Sequence, residues 1–115
     1  MMENGVMDIV QPDLNYNGGF IRAARVARMA RAFDMSIVPH NTQTDASAVN
    51  ILQFASAIPN IGAYMEFPWR APQEPASWYT PNFVVKNGVV AVPTGPGLGV
   101  EIDPDFLAQA ERVSA

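Results

Sequence analysis

The chain has 115 residues, of which 49% are hydrophobic and 16% charged, with a net charge of −4 and a mean hydropathy of +0.04. This composition suits a single domain with one modest core, excludes a disordered acidic chain and disfavours a nucleic-acid partner. The sequence has no cysteine, which excludes disulfides and thiolate-bound metals. No apolar run reaches the ~20 residues of a membrane-spanning helix. Residues 1–5 lack a signal-peptide pattern, so we expect a cytoplasmic protein with no membrane partner.

The first 68 residues alternate strand and helix patterns. Apolar runs at residues 8–13, 36–41 and 63–67 are typical of strands, and residues 20–33 and 48–58 between them have helical periodicity. Crossovers of this length make the strands parallel and bring their carboxyl ends to one edge. The sequence therefore predicts an α/β fold with the order β-α-β-α-β.

The first predicted helix follows Gly18-Gly19 and has an apolar and a basic face. We read the glycine pair as a strand-to-helix turn, with a phosphate-binding loop as the alternative. The predicted buried stripe consists of Ala23, Val26, Ala27, Ala30 and Phe33. Arg25, Arg28 and Arg31 fall on the opposite side. This row of arginines could bind nucleic acid, but the net negative charge of the chain favours a solvated outer face of the helix.

The pattern changes after residue 68, which we take as a boundary between segments 1–68 and 69–115. Residues 69–81 are rich in proline and aromatic side chains and predict an irregular excursion. Residues 83–92 predict a β-hairpin around Asn87-Gly88, because this dipeptide favours a two-residue hairpin turn. A glycine- and proline-rich loop, a short extended piece at residues 100–102 and a helix capped by Asp103 and running through Ala110 complete the prediction.

Three residues at the predicted strand ends form the candidate acid/base site. Asp13, His40 and Glu66 are separated by 27 and 26 residues, and His40 is the only histidine. A carboxylate that accepts from Nδ1 of a histidine sets the tautomer and makes Nε2 a stronger base. Glu66 could bind a developing oxyanion if protonated or a cation if ionised. The alternatives are an ordinary loop histidine and helix-capping carboxylates.

A family resemblance covers nearly the whole chain. Residues 8–14 with Gly18-Gly19, then 39–41, 64–66 and 95–102, resemble the C-terminal part of the mandelate racemase/muconate lactonizing enzyme family of the enolase superfamily. The resemblance implies the last three βα units of a (β/α)8 barrel, followed by a hairpin, loop and helix that pack on a capping domain. It also implies that Asp13 and His40 form a His–Asp dyad and that Glu66 hydrogen-bonds the intermediate.

The implied chemistry is that of the mandelate-racemase-like subgroup. Asp13 stands where the muconate-lactonizing subgroup would place a lysine. Subgroup members remove the proton α to a carboxylate with a base beside Mg²⁺, and then either reprotonate the carbon or expel a β-hydroxyl. The expected substrate is a small carboxylate or sugar acid, and an acid-sugar dehydratase is preferred over a racemase or epimerase.

The chain departs from this family in length. A complete barrel takes about 250 residues, so three of eight strands are expected here. The resemblance places the Mg²⁺ ligands upstream, and we predict neither metal ligands nor other cofactor-binding residues in this chain. We therefore interpret the chain as a fragment that is inactive alone.

A non-catalytic α/β module is the alternative from a different class. An open three-stranded parallel sheet leaves two edges and one face uncovered. Such a module would cover them by self-association, so a homo-oligomer remains an open expectation.

Overall fold

The computed structural model describes residues 2–68, 76–111 and 113. It has an α/β architecture with three α-helices and short strands. The strands are β1 (Ile9–Val10), β2 (Ser36–Ile37), β3 (Tyr79–Thr80), β4 (Val85–Lys86), β5 (Val89–Val90) and β6 (Glu101–Ile102). The α-helices are α1 (Gly19–Ala32), α2 (Val49–Ala57) and α3 (Pro104–Ala108), and a 3-10 turn at Ala46–Ala48 leads into α2. No helix in the described residues is long and apolar enough to cross a membrane.

The first two strands pair in parallel, as the β-α-β pattern predicts. Ile9 pairs with Ser36 and Val10 with Ile37. The same register continues beyond the strands to a bridge between Asp13 and His40. The backbone N–H of His40 donates to the carbonyl oxygen of Pro12 at 3.1 Å. Pairing between these strands therefore carries both predicted dyad residues to one edge.

The structure has no strand at residues 63–67, so the prediction of a third strand there is wrong. Within the described part of the chain, residues 60–67 pair with β2 through one parallel bridge, between Ile37 and Ile61. The N–H of Ile37 donates to Asn60 and the N–H of Gly62 donates to Ile37. The next bond in this ladder would need an N–H from Pro39, and proline has none. The chain leaves the ladder there, and Tyr64 is 88% exposed.

The core lies between α1, α2 and the β1–β2 pair. Its buried side chains are Leu14, Ala23, Ala27, Ile37, Ile51 and Phe54. The small residues of α1 allow its backbone to approach the strands closely, and Ala30 is also buried. One predicted stripe member is wrong, because Phe33 ends the helix and is 47% exposed. Arg25, Arg28 and Arg31 are exposed, as the solvated-face interpretation predicts.

The turn into α1 uses both glycines of the predicted loop. Gly18 and Gly19 have φ angles of 83° and 74°, in the left-handed region that favours glycine. The N–H of Gly19 donates to the carbonyl oxygen of Leu14 at 2.9 Å. This geometry is that of the predicted strand-to-helix turn.

The C-terminal segment contains the predicted hairpin and one pairing that was not predicted. β4 and β5 are antiparallel around Asn87 and Gly88, whose φ angles of 54° and 76° fit the predicted turn. β3 pairs antiparallel with β6, although the first of these strands falls within the predicted irregular excursion. Residues 69–75 of that excursion lie outside the described residues.

The last helix is capped as predicted but is shorter. The Asp103 carboxylate accepts from the N–H of Asp105, and Pro104 occupies the first turn. The helix ends at Ala108, so the predicted extension through Ala110 is wrong. Phe106 and Leu107 within this helix remain exposed, so little apolar burial holds it in place.

Candidate active site

Asp13 is held by hydrogen bonds to both carboxylate oxygens. Its Oδ1 accepts from the backbone N–H groups of Asn15 at 2.7 Å and Tyr16 at 3.1 Å. Its Oδ2 lies 2.8 Å from Nδ1 of His40. The loop after β1 thus orients the carboxylate independently of the histidine, and the Asp13 side chain is only 15% exposed.

His40 presents one ring nitrogen to Asp13 and leaves the other available. Because the ionised Asp13 carboxylate can only accept, Nδ1 is the protonated nitrogen of the neutral ring. Nε2 then carries the lone pair, and the side chain is 41% exposed. This is the arrangement of a histidine that can take a proton from a bound molecule at Nε2.

Glu66 reaches the dyad although its segment is not a strand. Its Oε2 accepts from the backbone N–H of Asn41 at 2.9 Å and lies 3.9 Å from Nε2 of His40. The second distance is too long for a hydrogen bond, so Glu66 does not occupy Nε2. All three residues predicted at the site therefore lie together, with two carboxylates on opposite sides of one imidazole.

The pKa values of the dyad shift in opposite directions. Burial raises the pKa of Asp13, but the hydrogen bond from His40 and the N–H groups of Tyr16 and Asn15 outweigh burial and lower it overall. The hydrogen bond to Asp13 raises the pKa of His40, against a smaller effect of burial, and the negative charge of Glu66 adds to the increase. The pair therefore favours an ionised aspartate beside a histidine that binds protons more readily.

The dyad does not by itself provide a metal site. Among the described residues, no three His, Cys, Asp or Glu side chains are grouped so that they could hold a metal ion. Asp13 also commits both oxygens to hydrogen bonds within the chain. We therefore assign no chemical step to a metal held by these residues.

Sequence reasoning missed Asn41. This residue is 1% exposed, and its backbone N–H donates the hydrogen bond to Glu66. An asparagine placed directly after a predicted buried strand was a usable signal, because asparagine frequently bonds the backbone two residues further on.

Comparisons with known proteins agree on one family. A family model described as enolase C-terminal domain-like matches residues 1–106. The chain is 38% identical over 113 residues to a D-galactarolactone cycloisomerase from Agrobacterium fabrum, covering 91% of this chain and 30% of that protein. It is 28% identical to a D-gluconate dehydratase from Thermoproteus tenax, covering 90% of this chain and 21% of the relative.

A solved structure has a similar fold over nearly the whole chain. The crystal structure of a candidate racemase from Roseobacter denitrificans superposes with a TM-score of 0.83 at 35% identity. The match covers 96% of this chain and 31% of that protein. The chain thus spans about a third or less of the length of these relatives.

Proposed function

The chain belongs to the enolase C-terminal domain-like family, and on that premise we propose that it carries the acid/base residues of an enzyme that removes the proton α to a carboxylate. Dehydration of an acid sugar is the reaction we propose first. The observation that carries the proposal is the His40–Asp13 contact of 2.8 Å, which leaves Nε2 of a partly exposed imidazole as the base. A relative named as a D-gluconate dehydratase supports the substrate class.

His40 serves as base and then as acid in this reaction. Nε2 takes the α proton, and the electron pair of the broken C–H bond passes into the carboxylate to form an enediolate. The β C–O bond then breaks, and the proton on Nε2 leaves with the hydroxyl as water. The resulting enol becomes the 2-keto acid by tautomerisation, so no oxidant or reductant is required.

Asp13 supports both steps without leaving its place. It holds the tautomer that exposes the lone pair of Nε2, and its negative charge stabilises the imidazolium formed after proton removal. Because Oδ1 is bound by two backbone N–H groups, the carboxylate does not have to reorganise as His40 becomes charged.

In this proposal, Glu66 contacts the reacting carboxylate of the substrate. If it is protonated, it can donate a hydrogen bond to the developing oxyanion, and if it is ionised, it can contribute to binding a cation. Its 3.9 Å separation from Nε2 keeps it close to the base without blocking the lone pair.

We further propose that the chain works as part of a longer enzyme. Residues 1–68 would supply the last βα units of a (β/α)8 barrel, and residues 69–115 would pack on a capping domain. The support is the parallel β1–β2 pairing and the coverage of only 30% of the cycloisomerase relative. Mg²⁺, which enolase-superfamily sites use to stabilise the ene-diolate, would be held by residues outside this chain.

Two other reactions begin with the same proton transfer. A cycloisomerase acting on a sugar-acid lactone is favoured by the relative at 38% identity, and a racemase by the Roseobacter structure. In the first, a lactone oxygen would take the place of the hydroxyl as leaving group. In the second, the α carbon would be reprotonated with no group expelled.

The test is exchange of the α proton in ²H₂O, measured by ¹H NMR on D-gluconate and D-galactonate with Mg²⁺. The full-length protein containing this segment and the 115-residue chain are assayed side by side. We expect exchange with loss of water from the longer protein, and a decrease of at least about 100-fold in His40→Asn, because a positioned base contributes 10²–10⁴-fold. Arg28→Gln, on the exposed face of α1, serves as the control and should retain full activity.

Three outcomes would contradict the base assignment, the dehydratase or the catalytic function. Exchange that persists in His40→Asn would refute the assignment of the base. Exchange without loss of water would replace the dehydratase by a racemase. A folded 115-residue chain that forms a discrete oligomer by size-exclusion chromatography, with no exchange on any acid tested, would favour the non-catalytic module.

A further inference from the structure

Asn41 lies between two of the site residues and is buried. It follows His40 directly, and it is the one buried polar side chain among the described residues, with 1% exposure. Its backbone N–H donates to Oε2 of Glu66 at 2.9 Å. Its side-chain Oδ1 accepts from the backbone N–H of Gln43 at 3.0 Å. Asn41 therefore connects the turn after His40 to the Glu66 carboxylate.

The direction of the Asn41 N–H is set from both sides. Before it, the N–H of His40 donates to the carbonyl oxygen of Pro12, which fixes the preceding residue in the parallel ladder. After it, the bond from Gln43 to Oδ1 closes a local turn of the kind that asparagine favours. The peptide group between these two restraints cannot rotate away from Glu66 without breaking one of them.

Glu66 needs such a restraint more than the dyad does. Asp13 and His40 sit in paired backbone, whereas Glu66 follows the last bridge of its segment at Ile61. Its side chain is 41% exposed and has several rotatable bonds. A glutamate in that situation samples many rotamers unless a hydrogen bond selects one. The N–H of Asn41 is the donor that selects the rotamer beside Nε2 of His40.

The side-chain nitrogen of Asn41 shows that only the side-chain oxygen makes a hydrogen bond within the described residues. Its Nδ2 is buried and has no hydrogen-bond partner among the described residues. A buried amide donor without a partner is unfavourable. The favourable part of burying Asn41 therefore comes from Oδ1 and the turn it closes.

We propose that Asn41 is the positioning residue for Glu66: its side chain closes the turn after His40, so that its backbone N–H holds the Glu66 carboxylate beside Nε2. The importance of this contact for catalysis rests on the function proposed above. The contact itself can be measured without any activity.

The test uses His40 as its probe, because the single histidine gives one unambiguous ring signal in an NMR titration. Among the residues that the structure describes, the charged groups that face the ring are Asp13 and Glu66. Glu66→Gln removes one charge and should lower the pKa of His40. Asn41→Ala should lower it by at least half as much, because the carboxylate remains but is no longer held beside the ring.

A double variant separates positioning from a general structural effect. Adding Asn41→Ala to Glu66→Gln should lower the pKa of His40 no further, because the carboxylate that Asn41 holds is already gone. Asn41→Ser should restore part of the loss, since a serine hydroxyl can accept from the N–H of Gln43. Replacing Glu66 by glutamine should shift the amide proton of residue 41 in the wild-type chain but not in Asn41→Ala, because only the wild-type chain holds the hydrogen bond between them.

Three results would overturn the proposal. One is an unchanged pKa of His40 in folded Asn41→Ala. Another is an equal decrease with and without Glu66→Gln. The third is a wild-type His40 that titrates as it does in urea. If Asn41→Ala does not fold, Asn41→Ser should lower the pKa of His40 by less than Glu66→Gln does, and an unchanged pKa, or the same decrease in the presence of Glu66→Gln, would overturn the proposal. Absence of α-proton exchange would refute the proposed function and leave these results intact.

Discussion

Asn60 links α1 and the residues after it to residues 60–62, which pair with β2. Replacing Asn60 is the sharpest test of how the edge that carries the candidate site is built. Its side-chain Nδ2 donates to the carbonyl oxygens of Ala27 at 3.1 Å and Met35 at 3.0 Å. Its own carbonyl oxygen accepts from the N–H of Ile37. Asn60 thus connects α1 and the approach to β2 through its side chain, and the bridge that leads towards Glu66 through its backbone.

The perturbation is Asn60→Asp, which keeps the shape of the side chain and removes both donors. A hydrogen bond of this kind contributes about 1 kcal/mol to stability, so the loss of two amounts to about 2 kcal/mol. An ionised aspartate would also face two carbonyl oxygens, which adds to the destabilisation at neutral pH. Asn60→Ala removes the donors without the charge and should lower the free energy of unfolding by about 2 kcal/mol.

The assay is equilibrium unfolding in urea, followed by circular dichroism. For an m-value of about 1–2 kcal/mol/M, the midpoint of Asn60→Asp should fall by roughly 1–2 M. Asn4→Asp makes the same chemical change at an exposed asparagine and is the matched control. If the two variants differ by less than about 0.5 kcal/mol, the Asn60 amide does not hold these elements together and the reasoning fails.

Two further predictions concern the dyad and the C-terminal loop. Asp13 has a lowered pKa, so its stabilising effect is complete above its ordinary value of 3.8 and lost as pH falls through its folded value. His40 has a raised pKa, so its effect is complete below 6.5 and lost as pH rises through its folded value. The free energy of unfolding, measured in urea, should therefore be highest between pH 3.8 and pH 6.5. Its dependence on pH should become flatter in Asp13→Asn, and an unchanged dependence would contradict the pairing of Asp13 with His40. In the loop, Gly99→Ala should destabilise the chain by at least about 1 kcal/mol more than Gly97→Ala. Both glycines have a positive φ, but only at Gly99 would a Cβ atom meet the Pro93 backbone, at 3.0 Å; equal losses of stability would refute this.

The pieces of the fold that the sequence predicts are those set by local chemistry. The bounds of α1 follow from its alanine stripe and the preceding glycine pair, and they are confirmed within one residue. The hairpin turn follows from Asn87-Gly88, because both positions need a positive φ. In each case the deciding interactions lie within a few residues of each other.

The third strand shows where local reading fails. Residues 63–67 have strand-like composition, but a strand exists only if its neighbour offers hydrogen bonds along its length. Pro39 removes the donor at the position where the ladder would continue. The proline is visible in the sequence, but its effect on a segment more than twenty residues away depends on the register of Ile37 with Ile61.

The candidate site divides in the same way. The residue types, their spacing and the family resemblance predicted that Asp13, His40 and Glu66 lie together, because parallel strands deliver their ends to one edge. Only the tertiary structure shows that Glu66 arrives through a hydrogen bond from the backbone of Asn41 rather than through a strand. That contact joins residues 25 positions apart, so it depends on how the chain packs and leaves no periodic pattern in the sequence.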